Sequence, residues 1–462
     1  MVAAVTFRFT ENVQPSGGAS WGSNGVILFA PRPESMLYRV SAAGGEPVTE
    51  TKLTSGETHH IWPWFLPDGE HYLFMITGPD QSRSGIYVGK LGSTERTRIM
   101  PHPKRTDFTS VAYGGGYVFY VRDFALMAQK FDPETRELSG APVKIDEGVE
   151  LAGPGRTTLS ASDDGTLLYR KFSAPVIAQF VLRDRSGRET ATAASEGPYR
   201  TFSLSADEKR IAVANDDSPP SSWLLDVVRG TATRVDFDRY ATFPRWLSDS
   251  RSVVLSVALD TPPNLILLRG GKATRLTRAF HQQYPTGVSP DDAWVYFNDS
   301  QAGGFDINAV SIAPPHEIIP VLATRFSEYD ATPSPDGKWL AYVSNENGTP
   351  QVFAMPWSAS APAGGSPASR FQISTTGGEL PRWSKDGREL YYLDPNRMIT
   401  AVRIEIAGDD LHPSIPQPLF AIDNTLGFEP TRAGRFLVAR TRLNPDATPL
   451  TVVQGWGGGG SR

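Results

Sequence analysis

The stretch SPDGKWLAYV at residues 334–343 decides the fold, because it joins a tight turn to an apolar strand. Asp-Gly favours a hairpin turn, since both residues tolerate the positive φ angles whose twist matches the strands on either side. LPDG at 66–69 precedes HYLFM in the same way, and SKDG at 384–387 precedes ELYYL. The stretch is therefore one copy of a repeated turn and strand.

Degenerate copies extend this repeat along the chain at spacings of 42 to 50 residues. Two of them, ADEK at 206–209 and SDSR at 248–251, keep the aspartate and lose the glycine, which predicts the same hairpin with a different turn. A period of about 40 to 50 residues with several short strands per copy is typical of β-propeller blades. Counted by the second-to-last residue of each turn, the ten copies stand at Asn24, Asp68, Gly115, Asp164, Asp207, Asp249, Asp291, Asp336, Asp386 and Ala433.

Between the turns, apolar or alternating runs of four to seven residues are bounded by Gly, Pro, Asp and Ser, and no segment has a sustained helical period. In the clearest copy, the inner strand is expected at 330–334 and the second at 338–344. The third is expected at 351–357 and the outermost at 370–374. The sequence thus predicts an all-β propeller of about ten four-stranded blade units.

The predicted array covers residues 1–456 and is followed by a linker-like tail, GGGGSR, at 457–462. The fourth unit is expected at 155–194. The tenth, at 426–456, contains RFLVAR and LTVVQGW and lacks an outer strand, which TFRF at 6–9 could supply. Such closure leaves no unpaired edge. Two arrangements remain open: one large ring, or two propeller modules of four and six units with a boundary near 190–197.

Composition and charge exclude several classes of protein. The chain has no cysteine, which excludes disulfides, thiolate metal sites and cysteine nucleophiles. A net charge of −5 offers no basic footprint for nucleic acid, and no apolar run is long enough for a membrane span. The beginning, MVAAVTFRF, is too short for a signal peptide and lacks its basic segment, so the compartment stays open.

Several segments together resemble a known family: GVILFAP (25–31), LYRVSAAGGEPV (37–48), GETHHIWPWFLPDGEHYLF (56–74), GIYVGKL (85–91), LMAQKFDPETRELSGAPV (126–143), ELPRWSKDGRELYYL (379–393) and PLTVVQGW (449–456). The turns resemble the WD40-like (PD40) repeats of TolB-type propellers. The segments resemble the C-terminal propeller region of bacterial serine/threonine protein kinases. This sequence has no glycine-rich, HRD or DFG kinase motif. The resemblance implies a propeller without the kinase, in a periplasmic or extracellular location.

Polar residues recur seven to nine residues before the turn anchors, where inner strands begin, and we expect them at the mouth of a central channel. Carboxylates there would suit calcium, and histidines would suit a transition metal. The candidate metal ligands are His60, Asp107, Glu328 and Glu379, and the candidate catalytic residues are His60, Glu328 and Glu379. The candidate binding residues are His59, His60, Asp107, Arg156, Tyr199, Tyr240, His281, Gln283 and Tyr329. The alternative is a solvated polar lining, which propellers of every function have.

GASWG at 18–22 matches the nucleophile-elbow pattern, but a strand rather than a helix should follow Ser20, which argues against a catalytic serine. The leading hypothesis is a non-catalytic recognition or scaffold propeller that binds a protein, peptide or glycan at the channel face. The alternative is a metal-dependent hydrolase of esters, lactones or phosphotriesters. In it, a divalent ion in the channel would polarise the substrate and a histidine or carboxylate would act as base.

Overall fold

A computed structural model describes residues 17–31, 35–78, 80, 82–101, 110–122, 125–149, 159–171, 177–194, 196–215, 221–235, 241–257, 263–279, 281–301, 304–358, 369–408, 410–422, 425–442 and 450–456. These residues form ten antiparallel sheets of three to five strands, and the strands are numbered β1 to β40 in chain order. The described part of the chain has no helix long and apolar enough to cross a membrane. The prediction of an all-β propeller is confirmed.

The chain divides into two compact units. The first unit contains residues 1–174 and 446–462, and the second contains residues 175–445, so the second is inserted in the sequence of the first. The boundary considered from the sequence, near 190–197, falls inside the second unit.

Four of the ten sheets formed by the described residues belong to the first unit. Their strands are β1 (Ala19–Trp21), β2 (Val26–Phe29), β3 (Tyr38–Ser41) and β4 (Val48–Thr49); β5 (His59–Phe65), β6 (His71–Thr77), β7 (Gly85–Lys90) and β8 (Arg96–Pro101); β9 (Ala112–Gly114), β10 (Tyr117–Arg122), β11 (Ala125–Asp132) and β12 (Glu137–Glu147); and β13 (Leu159–Ala161), β14 (Leu167–Tyr169) and β40 (Thr451–Val453).

The second unit contributes six sheets, and its innermost strands β17, β21, β25, β29, β33 and β38 contact one another in a closed cycle. The strands are β15 (Ile177–Arg183), β16 (Glu189–Thr192), β17 (Tyr199–Leu204), β18 (Arg210–Asn215), β19 (Ser222–Asp226), β20 (Ala232–Val235), β21 (Ala241–Trp246), β22 (Val253–Val257), β23 (Asn264–Arg269), β24 (Lys272–Arg275), β25 (Gln283–Val288), β26 (Trp294–Gln301), β27 (Gly304–Ser311), β28 (Ile318–Leu322), β29 (Glu328–Pro333), β30 (Trp339–Ser344), β31 (Gln351–Pro356), β32 (Phe371–Gln372), β33 (Glu379–Trp383), β34 (Glu389–Leu393), β35 (Met398–Ala407), β36 (Asp410–Pro413), β37 (Gln417–Ala421), β38 (Thr425–Pro430) and β39 (Phe436–Arg442).

Two sheets are assembled from strands far apart in sequence, which corrects the expected fourth and tenth units. The inner strands β13 and β14 are completed by β40, where Leu167 pairs with Val453. In the second unit, β15 and β16 instead complete the sheet of β38 and β39, where Val181 pairs with Val438. RFLVAR and LTVVQGW therefore belong to different sheets. TFRF, proposed as the closing strand, lies outside the described residues. The repeat could not show this exchange because it constrains only strands that are neighbours in sequence.

Neighbouring sheets cover both faces of the second strand in two sheets of the second unit. All residues of β22 (VVLSV) and β30 (WLAYVS) are buried. Indole groups join neighbouring sheets: Trp246 Nε1 donates to the carbonyl of Ser203 at 3.0 Å, and Trp383 Nε1 donates to that of Thr332 at 3.2 Å. Burying residues of this size is the main source of stability in such a fold.

The Asp-Gly turn and its degenerate copies have one geometry, which corrects the expectation of a different turn. Gly337 has φ 73° and its N–H donates to the carbonyl three residues earlier at 2.9 Å. Glu208 and Ser250 take the same place with φ 60° and 53°, and their N–H groups make the same bond at 2.9 and 3.1 Å. These side chains also link turns: Ser250 Oγ accepts from Asp207 N at 3.0 Å, and Glu208 accepts from Arg432 N at 2.6 Å. This link offsets the cost of a left-handed residue other than glycine.

Candidate functional site

The six inner strands of the second unit begin at one face, which we call the mouth face, and end at the repeated turns on the opposite face. Contacts between neighbouring sheets show this order, because turn meets turn and strand start meets strand start. Ser248 Oγ donates to Asp292 at 2.6 Å on the turn side. Phe243 N donates to Thr201 Oγ1 at 3.1 Å near the mouth face.

The structure places four of the predicted residues at the start of inner strands or just before them, and they belong to two polar groups near the mouth face. The hydroxyl of Tyr329 donates to Glu379 Oε1 at 3.0 Å, which joins β29 to β33, and burial raises the pKa of this phenol. His281 Nδ1 lies 2.5 Å from Asp299 Oδ1, and Gln283 Nε2 donates to the same oxygen at 3.3 Å. The first group joins the sheets of β29 and β33, and the second belongs to the sheet of β25 to β28.

A carboxyl group that the sequence did not single out lies beside the His281 pair. Asp306 is paired across the sheet with Asp299. Burial, and then the negative charge of Asp299, raise the pKa of Asp306 to about 6.

Three predicted mouth residues of the second unit are part of its interior, and one of them is Gln283, which is 2 % exposed. Tyr199 is buried and its ring stacks on Phe180 with centroids 5.2 Å apart. Glu328 is 1 % exposed, and it accepts hydrogen bonds from the N–H and the hydroxyl of Thr324. Burial raises the pKa of Glu328. The expectation that these three residues face an open channel is wrong, because the first residue of an inner strand can point between sheets.

His60 is likewise not at a channel mouth. It is fully buried in the first unit, with Nδ1 2.8 Å from Thr51 Oγ1 and Nε2 3.2 Å from Glu57 Oε2. Arg96, on the outer strand β8, bonds to Glu57 at 2.6 Å and lies 3.2 Å from His60 Nε2. Burial, and then the positive charge of Arg96, lower the pKa of His60 to about 4. A neutral histidine with both ring nitrogens engaged is a structural residue.

The remaining predicted residues contribute no metal site to the described part of the chain. His59 Nδ1 contacts Thr58 Oγ1 at 2.5 Å and Thr77 Oγ1 at 3.0 Å. Asp107, Arg156 and Tyr240 lie outside the described residues. Among described residues, no three His, Asp or Glu side chains converge in a way that could hold a metal ion. The candidate ligands His60, Glu328 and Glu379 are therefore not brought together there.

Ser20 lies in β1, and the strand β2 follows it, as the sequence predicted. Its hydroxyl oxygen accepts the N–H of Phe65 at 3.0 Å.

An arc of aromatic rings runs along the mouth face of the second unit over three consecutive sheets. Phe243 contacts Tyr284 with centroids 4.7 Å apart, Tyr284 is 6.3 Å from Phe305, and Phe305 is 6.3 Å from Tyr329. All four side chains are half-buried. The arc leads through the hydroxyl of Tyr329 to Glu379. A row of partly exposed rings with a polar end is the composition that protein-binding surfaces favour.

Deeper in the same unit, four inner strands contribute charged side chains that face one another. Arg382 Nε lies 3.5 Å from Glu429 Oε1. Burial, and then the positive charge of Arg382, lower the pKa of Arg245 to about 10, while the charges of Glu429 and Asp330 oppose this. Burial raises the pKa of Asp330, which also lies near both arginines. All four keep part of their surface accessible. They therefore line the channel at the centre of this unit.

Sequence reasoning missed these channel residues because it counted back to the start of each inner strand. Arg245, Arg382 and Glu429 lie only four residues before the turn anchor, beyond a β-bulge that shifts the register. Asp330 lies six residues before its anchor, within such a bulge. Phe243, Asp330 and Leu380 mark the bulge with φ 52°, 56° and 54°. A bulge re-aims the side chains that follow it. The repeated letters PRW at 244–246 and 381–383 were the available signal.

No protein-family profile matches the chain, and no curated protein is similar to it in sequence. Among solved structures, the chain is similar to the putative TolB of Agrobacterium tumefaciens, with 16 % identity, a TM-score of 0.46, and coverage of 59 % of this chain and 100 % of that one. TolB of Acinetobacter baumannii gives 14 % identity, a TM-score of 0.40, and coverage of 71 % and 78 %. The β-propeller domain of Cps50 (Swd1) from Myceliophteria thermophila gives 13 % identity, a TM-score of 0.40, and coverage of 57 % of this chain and 84 % of that one. At these values the likeness carries no functional information, and the assignment of a β-propeller rests on the sheets.

Proposed function

We propose that the second unit is a non-catalytic recognition module that binds a protein or peptide at its mouth face. The aromatic arc from Phe243 to Tyr329 carries this proposal, because its rings form one continuous, half-buried strip. Large rings supply contact area at low cost in side-chain entropy, and they dominate the energetics of most interfaces. The pair of Tyr329 and Glu379 gives the strip a polar end that can fix the direction of a bound chain.

Peptide selection tests the proposal directly. A library of displayed peptides is selected on the purified full chain, and the affinity of the enriched peptides is measured by fluorescence anisotropy. Tyr284→Ala and Phe305→Ala should each weaken binding about tenfold or more, the usual cost of removing an interface hot spot. Trp21→Ala is the matched control, because Trp21 is 57 % exposed and lies in the first unit.

Peptides whose affinity is unchanged in both arc variants would contradict the proposal, as would a selection that enriches nothing. Binding on a glycan array that is lost in the same two variants would replace the peptide by a glycan as the ligand. The metal-dependent hydrolase stays a prediction, since no metal-ligating cluster of the described residues supports it.

A further inference from the structure

Two sheets of the second unit contain the same local structure around an arginine, which we call the Pro-Arg-Trp motif. Phe243-Pro244-Arg245-Trp246 and Leu380-Pro381-Arg382-Trp383 share the Pro-Arg-Trp sequence. In both, the residue before the proline has a positive φ, and Nη1 of the arginine donates to the carbonyl of that proline at 2.8 Å. Each tryptophan is fixed by its Nε1 to a carbonyl of the preceding inner strand. The two guanidinium groups are thus held in place before any ligand arrives.

The two Pro-Arg-Trp motifs lie on β21 and β33. These strands are three positions apart in the cycle of six inner strands, so they lie on opposite sides of the channel. Arg245 also donates from Nε to the carbonyl of Thr286 at 2.7 Å. Among the described residues, Arg245 donates hydrogen bonds from Nε and Nη1, and Arg382 donates one from Nη1. In both arginines this leaves one N–H of Nη1 and both N–H groups of Nη2 for a ligand. Glu429 beside Arg382, at 3.5 Å, is farther than a direct hydrogen bond.

We propose that the channel of the second unit holds a carboxylate of the bound partner between Arg245 and Arg382. This inference rests on the proposed function and adds the chemistry of the ligand. Arginine binds carboxylates through parallel N–H groups, and fixing the guanidinium beforehand lowers the cost of binding. Asp330 lies near both arginines and Glu429 lies 3.5 Å from Arg382 Nε, so an incoming carboxylate competes with these two acidic side chains. The carboxylate can come from a peptide C-terminus or from an Asp or Glu side chain.

Glutarate is a suitable probe because it carries the carboxylate in a small molecule. Its binding to the full chain is measured by isothermal titration calorimetry, with circular dichroism and thermal melting to verify the fold of each variant. We expect saturable binding that Arg245→Gln with Arg382→Gln weakens at least about tenfold, since charge-assisted hydrogen bonds are lost. Arg388→Gln is the matched control, because Arg388 is 84 % exposed and lies in the turn that joins β33, the strand of Arg382, to β34. Glu429→Gln should strengthen binding, because it removes one of the two competing carboxylates.

The source of the carboxylate follows from displacement of glutarate by three short peptides. One has a free C-terminus and no acidic side chain, the second is its C-terminal amide, and the third is an amide with one internal glutamate. Displacement by the first alone identifies a C-terminal carboxylate, and displacement by the third identifies an acidic side chain.

The carboxylate site is overturned if glutarate does not bind, or if it binds the double glutamine variant as well as the unchanged protein. This outcome does not depend on what the aromatic arc binds. Glutarate binding without any selected peptide supports the site and contradicts the recognition function instead. If the double glutamine variant fails to fold, Arg245→Lys with Arg382→Lys and Glu429→Gln decide the question. Lysine keeps the positive charge but loses the parallel N–H groups of arginine, so glutarate binding should weaken in the double lysine variant. Binding should strengthen in Glu429→Gln. Equal glutarate affinity in these two variants overturns the site.

Discussion

Phe180→Ala tests whether β15 completes a sheet of the second unit by pairing with β39, rather than a sheet with β13 and β14. Phe180 lies on β15 and is fully buried, with its ring 5.2 Å from that of Tyr199 and 5.0 Å from that of Phe202. Its backbone pairs with Ala439 of β39, so its side chain supports the sheet that completes the second unit. Truncating a buried phenylalanine costs about 3–5 kcal/mol, because apolar contacts are lost and a cavity remains.

For a unit of this length, that loss corresponds to a fall in melting temperature of about 5–10 °C. Hydrogen exchange measured by mass spectrometry locates the effect. We expect faster exchange in residues 199–204 and 436–442, which contact Phe180 or pair with its strand, and unchanged exchange in residues 159–169. Val228→Ala is the control, because Val228 is 77 % exposed in the same unit.

Faster exchange in 159–169 with no change in 436–442 would refute the reasoning. That pattern would mean that residues 155–194 form one blade, as the spacing of the repeat alone suggests. A change confined to residues 177–183 would also contradict the closure of the second unit by β39.

Three further predictions concern the turns, the buried histidine and metals. Gly387→Ala should cost about 1–2 kcal/mol in urea unfolding, because φ 73° disfavours a Cβ, whereas Gly387→Asn should cost less, and equal losses would contradict the turn geometry. The folded state holds His60 with a pKa of about 4, below the unfolded value of about 6.5, so it binds fewer protons between these values. The stability of the first unit should therefore be full above about pH 6.5 and fall toward pH 4 by on the order of 3 kcal/mol. Urea unfolding at several pH values should show this fall in the free energy of unfolding, and the fall should be smaller in His60→Gln. The same pH dependence in both proteins would contradict the prediction. Adding EDTA, calcium or zinc should leave the melting temperature unchanged, and a stoichiometric metal in the purified protein would favour the hydrolase.

Much of the architecture could be predicted from local sequence. In the clearest copy, the four expected strands agree with β29 to β32 within about two residues at most ends, because turn residues and apolar runs are local signals. The candidate site could be predicted only in part. Tyr329, Glu379 and His281 are partly exposed where inner strands begin, but Gln283, Glu328 and His60 turn into the interior. A side chain's direction at a strand start depends on the neighbouring sheet, which no local pattern contains.

By itself, the sequence determined the period, the turn and the all-β class, since these depend on residues that are near one another in the chain. Only the tertiary structure decided which strands share a sheet, that the chain forms two units, and that Arg245 and Arg382 line one channel. Hydrogen bonds between strands are the same for any pair, so pairing β39 with β15 depends on closure rather than on a sequence code. The channel residues needed a bulge and a closed ring to face one another, and both exist only in the folded chain.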